Sequence, residues 1–140
     1  MKTKLILFFL LFSKLLSAQS ENDKIVYLDS LWKETTIDKQ FYYRIIKDYY
    51  LEKSEYQFED HYKSGKIQME GISETKDYLS KKGLFRYYYE NGSKKSESTY
   101  EKGRQKGKHT LWYENGVKKL EGEFILKEGE HFPNLKINQF

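Results

Sequence analysis

The stretch Tyr87-Tyr88-Tyr89-Glu90-Asn91-Gly92-Ser93-Lys94-Lys95 returns 24 residues later as Leu111-Trp112-Tyr113-Glu114-Asn115-Gly116-Val117-Lys118-Lys119. A fixed internal period constrains a fold more than composition does. Each repeat builds one supersecondary unit, which buries its apolar side only by stacking on its neighbours. A looser copy precedes these two. His61-Tyr62-Lys63-Ser64-Gly65 leads to Glu70-Gly71, as the later copies lead to Glu97-Ser98 and Glu121-Gly122. The turn glycines Gly65, Gly92 and Gly116 stand 27 and then 24 residues apart, and the three extra residues fall in the connector from Ile72 to Lys82. Gly83 and Gly107 open the second and third units.

Each unit reads as a β-hairpin. Asn91-Gly92 and Asn115-Gly116 are the strongest short-range hairpin signal, expected as two-residue type I′ turns with both residues at positive φ. Ser64-Gly65 is a weaker version. Such a loop sets the register: Tyr88 faces Lys95, Arg86 faces Glu97, Phe85 faces Ser98, and His109 faces Gly122. The small residues Gly71, Ser98 and Gly122 then lie opposite Phe58, Phe85 and His109, where a ring can cover a bare strand position.

Alternation sorts the faces. Phe85, Tyr87 and Tyr89 share the expected buried face with His109, Leu111, Tyr113, Leu120, Met69, Ile67, Tyr62 and Phe58. The opposite face carries His61, Tyr88 and Trp112 in line, beside Lys95 and Lys119, with Arg86, Thr110, Gln68 and the acids Glu59, Glu70, Glu97 and Glu121. Upstream, strands are expected at Lys24 to Leu28, Phe41 to Lys47 and Tyr56 to Tyr62. A capping strand is expected at Leu135 to Phe140. The fold class is therefore all-β, an elongated antiparallel sheet of stacked hairpins with an N-terminal β segment.

The first residues belong to a different category. Lys2 and Lys4 precede the apolar run Leu5 to Phe12, and Leu15-Leu16-Ser17-Ala18 follows. This pattern predicts a secretory signal peptide over residues 1–18, cleaved before Gln19. The run is too short to span a bilayer, which takes roughly 20 residues, so no transmembrane span is expected after cleavage. The chain divides into that signal, a β segment at 19–57, the hairpin repeats at 58–124 and a C-terminal cap at 125–140. The expected location is periplasmic or extracellular.

Removing the signal also removes three lysines. The whole chain carries 25 basic and 21 acidic side chains, for a net charge of +4. The mature chain has 22 basic side chains against 21 acidic ones, close to neutral. Nucleic acid is therefore not the expected partner. The absence of cysteine excludes disulfides.

The run GLFRYYYENGSKKSESTYEKGRQKGKHTLWYENGVKKLEGEF resembles the second type of MORN repeat, as found in YwqK-like proteins named as antitoxin components of toxin–antitoxin systems. The match spans about His61 to Phe124. The stretch IVYLDSLWKETT…YYRIIKDY is similar to the N-terminal region of exported Bacteroidetes proteins that carry the same repeats. The resemblance implies a sheet of stacked hairpins and a binding role without catalysis. An exported member would suit an immunity protein against a toxin arriving through the envelope.

The residues themselves support the same direction. Three acids recur at one repeat position, Glu70, Glu97 and Glu121. Calcium usually draws about 6–8 oxygen ligands from a compact loop, so these read as cross-strand partners of cations and no metal is expected. His61, His109 and His131 lack metal-ligand spacing. No nucleophile elbow is present, and no cofactor or enzyme activity is expected; an envelope hydrolase is the most distant alternative. The candidate binding residues are His61, Tyr88, Lys95, Trp112 and Lys119, aromatic rings beside cations on a polar face. The expected partner is a protein, either a toxin or an envelope component. Gly65, Asn91, Gly92, Asn115 and Gly116 are expected to serve the turns alone.

Overall fold

The computed structural model describes residues 20–130 and 132–138. The expected signal segment, His131 and the last two residues lie outside them. Among the described residues nine strands follow one another: β1 Lys24–Leu28, β2 Tyr42–Ile46, β3 Tyr56–Tyr62, β4 Ile67–Ser73, β5 Lys81–Tyr88, β6 Lys94–Glu101, β7 Arg104–Trp112, β8 Lys118–Ile125 and β9 Asn134–Ile137. They form one antiparallel sheet in sequence order. The fold is all-β, an open sheet of consecutive hairpins with no helix among the described residues.

The Asn-Gly turns differ from expectation. Neither Asn91 nor Asn115 has positive φ, whereas Gly65, Gly92 and Gly116 have φ of 88°, 89° and 84°. In the second hairpin the Gly92 N–H donates to the Tyr89 carbonyl at 2.9 Å, and the Tyr89 N–H donates to the Ser93 carbonyl at 2.9 Å. The loop thus has three residues. It is a type I turn closed by a left-handed glycine, a conformation that Gly reaches without a Cβ penalty. Asn91 serves the loop through its side chain, whose Oδ1 accepts from the Ser93 N–H at 2.8 Å. Asn115 does the same for Val117.

A three-residue loop shifts the register by one, and a β-bulge then restores it. Tyr88 faces Lys94 while Tyr87 faces Ser96, so Lys95 is the extra residue. Lys119 is extra in the third hairpin and Gln68 in the first. Beyond each bulge the expected pairs Phe58–Gly71, Phe85–Ser98 and His109–Gly122 are present. The two-residue type I′ geometry occurs elsewhere. Lys102 and Gly103 have φ of 48° and 78° and join Glu101 directly to Arg104.

The core lies on one face, under the N-terminal part of the sheet. Ile46, Tyr56, Phe58, Met69 and Phe85 are buried, with Tyr49, Tyr78, Tyr87 and Tyr100 packed against them. Tyr78 reaches in from the connector after β4, its ring 4.9 Å from Phe58. Arg44 stacks its guanidinium 4.2 Å above Tyr78 and grips the buried Asp60 through two bonds of 2.7 and 2.8 Å. The carboxylate satisfies Arg44 within the core, as a buried charge requires. Further along the sheet, Ser98, Thr110 and Gly122 are the buried positions, so burial there comes from small residues.

Neighbouring hairpins are tied by tyrosines. The Tyr62 hydroxyl donates to the Tyr88 carbonyl at 2.7 Å, and the Tyr89 hydroxyl donates to the Trp112 carbonyl at 2.9 Å. The two tyrosines are 27 residues apart, so the repeat spacing is also the spacing of this tie.

Candidate functional site

Cross-strand pairing places Ile45, Glu59, Glu70, Arg86, Glu97, Thr110 and Glu121 in one row across seven strands, on the face away from the core. Three of the four acids in this row, Glu70, Glu97 and Glu121, are held by cations. Glu70 accepts from Arg86 at 3.4 Å and from the Tyr88 hydroxyl at 2.7 Å. Arg86 also reaches Glu97 at 3.5 Å, and Lys94 bonds Glu97 at 2.6 Å. Lys118 and Lys108 pair with Glu121. Glu59 and Glu70 do stand directly opposite each other, a like-charge pair. Each carboxylate turns to other groups: Glu59 to Gln57 and His61, Glu70 to Arg86 and Tyr88. Exposed pairs of this kind add little stability, about 0–1 kcal/mol each. Their effect here is to fix side-chain directions.

The aromatic residues expected in line are built into this ladder. His61 stacks on Tyr43 with ring centroids 4.8 Å apart and planes 5° from parallel. Its Nδ1 lies 3.1 Å from the Gly65 carbonyl. Tyr88 is half-buried; burial first, then its bond to Glu70, push its phenol up to about 12. Trp112 is half-buried, with Lys94 Nζ 5.5 Å from its ring centroid.

Two of the five candidates stand elsewhere. The bulges carry Lys95 over Tyr89, 5.6 Å from the ring centroid, and Lys119 over Tyr113 at 5.4 Å. Lys94 and Lys118 take the positions beside Tyr88 and Trp112. Gln68 and Thr110, expected on the polar face, are buried. Tyr43 is the aromatic that sequence reasoning left out. Its signal was present in Tyr42-Tyr43 and in the alternation of β2, but the two tyrosines pointed to opposite faces with no repeat to choose between them.

Among the described residues no group of three or more His, Cys, Asp or Glu side chains could hold a metal ion, and no helix is long and apolar enough to cross a membrane. The fold and this face define a repeat protein built as one open antiparallel sheet, one face packed and the other a ladder of charges and rings. Comparison with known proteins gives no match: no family model, no curated protein and no solved structure aligns significantly with the chain.

Proposed function

We propose that this chain is an exported, non-catalytic repeat module of the second MORN type, which docks a protein partner on the polar face of its sheet. The observation that carries the reading is the immobilisation of His61, Tyr88 and Trp112 on that face. Each large ring recurs at the same repeat position, and each is held by a stacked ring, a carboxylate or an ammonium group. Rings fixed before binding lose little conformational entropy on contact, which is what interface anchors require. The surrounding alternation of Arg86, Lys94 and Lys118 with Glu70, Glu97 and Glu121 would select a partner of complementary charge pattern. The docking group is therefore His61, Tyr88 and Trp112 with Lys94 and Lys118, in place of Lys95 and Lys119.

The partner in this reading is an envelope protein or a toxin that meets the envelope, in keeping with the antitoxin resemblance of the repeats. The test is affinity capture with the purified mature protein from its own envelope fraction. The expected result is one protein retained stoichiometrically and released by salt. Retention of nothing, or release unaffected by salt, would contradict a docking face made of charges and rings.

A further inference from the structure

The pairing of β7 with β8 stops at Gly107 and Phe124. β7 itself starts three residues earlier, at Arg104. The tight Lys102-Gly103 turn makes Glu101 and Arg104 a hydrogen-bonded pair, so the next residue, Gln105, turns its backbone N–H and C=O away from β6. Leu126 would receive them if β8 continued, but the chain leaves the sheet after Ile125. Gln105 has no strand partner on that side and no backbone hydrogen bond to a turn or loop among the described residues.

This strand end borders a slot of about 680 Å³. Its apolar wall is Phe124, Leu126 and Pro133. Its other wall carries Lys102, Arg104 and Lys106. Lys106 is paired with Glu101, whereas Lys102 and Arg104 have no ion pair or side-chain hydrogen bond among the described residues. Glu123 also borders the slot and stands across from Lys136 on β9.

We propose that this slot binds an extended acidic peptide segment, added as a short strand along the open end of β7. One apolar peptide residue would exchange both backbone hydrogen bonds with Gln105 and, on the face that Gln105 shares with Phe124, lie against Phe124, Leu126 and Pro133. Its neighbours, on the opposite face, would bring carboxylates to Arg104 and Lys102. The assignment follows from three features that coincide: an open strand edge, an apolar wall and two cations whose side chains make no hydrogen bond among the described residues, so that three cations outnumber the two acids Glu101 and Glu123 around the slot. The site uses none of the polar-face aromatics, so it stands or falls separately from the docking face proposed above.

The test is fluorescence anisotropy with a short labelled peptide of alternating glutamate and valine, against the same peptide with lysine for glutamate. A third peptide has N-methylated valines, which removes the backbone donors of those residues. The acidic peptide is expected to bind, to shift the amide resonances of Arg104, Gln105, Lys106 and Leu126, and to weaken with salt. Arg104→Glu is expected to reduce its affinity by about tenfold or more, and N-methylation to abolish binding. Equal binding of the acidic and lysine peptides would overturn the proposal. So would unimpaired binding of the N-methylated form, no binding at all, or shifts centred on other residues.

Discussion

The ring of Phe85 occupies the place where Gly71 would carry a side chain. A Cβ on Gly71 would stand 2.3 Å from Phe85 Cε1, a distance no pair of unbonded carbons tolerates. Phe85 is fully buried, with Tyr78 and Tyr100 edge-on against it. The ring that covers Gly71 therefore comes from the strand after it. The register partner Phe58, on the strand before, was the expected cover. The rule extends along the sheet. Ser98 meets His109 of the following strand, Oγ to Nδ1 at 2.6 Å, and Gly122 meets β9.

Gly71→Ala is accordingly expected to lower stability by about 1–3 kcal/mol, the usual cost of overpacking. Phe85→Leu in the same chain should lower the cost of the added methyl, because the aliphatic side chain can rotate away. Equilibrium urea denaturation of both single variants and the double variant checks this. Additive losses would show that the two residues do not share one space.

Gly122→Val tests the far end of the sheet. A Cβ there would stand 2.6 Å from the Lys136 carbonyl oxygen and 3.1 Å from Leu135 Cδ1. The expected effect is detachment of β9, with the core around Phe58 and Phe85 intact. Hydrogen exchange should accelerate at Lys136 and Asn138, whose amide donates to the Glu121 carbonyl at 3.0 Å. Uniform acceleration through β3 to β5 would mean that β9 supports the whole sheet.

Asp60 and Arg44 offer a larger effect. The Asp60 side chain is 3% exposed and holds Arg44 by two bonds. Asp60→Ala leaves that guanidinium half-buried without its partner, at an expected cost of about 3–5 kcal/mol. Arg44→Met with Asp60→Leu replaces both charges by apolar groups and should recover most of the loss. A double variant no better than Asp60→Ala would contradict a simple desolvation account.

His109 gives the fold a pH dependence of known sign. Burial holds its imidazole below the ordinary value of 6.5, against a smaller opposing effect from the Glu97 backbone. The unfolded chain then binds the proton more readily than the folded one. The stabilising contribution is full above pH 6.5 and is lost as the pH falls through the lower folded value. His109→Gln should remove that part of the slope. The check is the difference between wild-type and variant stability at pH 7.5 and pH 5, expected to shrink for the variant. Parallel pH profiles would remove His109 as the cause.

The repeat period and the alternation made the strands legible. β1 and β3 fall on the expected residues, and the paired rows beyond each bulge are those expected. The register was right although the turn was wrong, since a longer loop and a bulge cancel. That cancellation was invisible in sequence, because no residue type marks a bulge as Asn-Gly marks a turn. Its consequence was local but reached the candidate site. The lysines at Lys95 and Lys119 moved to the core-side tyrosines, and Lys94 and Lys118 replaced them. Lys102-Gly103 escaped notice for a related reason. A lysine at positive φ is unusual, and here the strand pairing of Glu101 with Arg104 imposes it.

The docking face is tested most directly by Tyr88→Ala combined with Trp112→Ala, assayed for thermal stability and for partner capture on the same preparation. Two aromatic anchors of about 2 kcal/mol or more each correspond to roughly a thousandfold loss of affinity. The expected result is a melting temperature close to wild type with capture abolished. Normal melting with normal capture would contradict the docking role of this face.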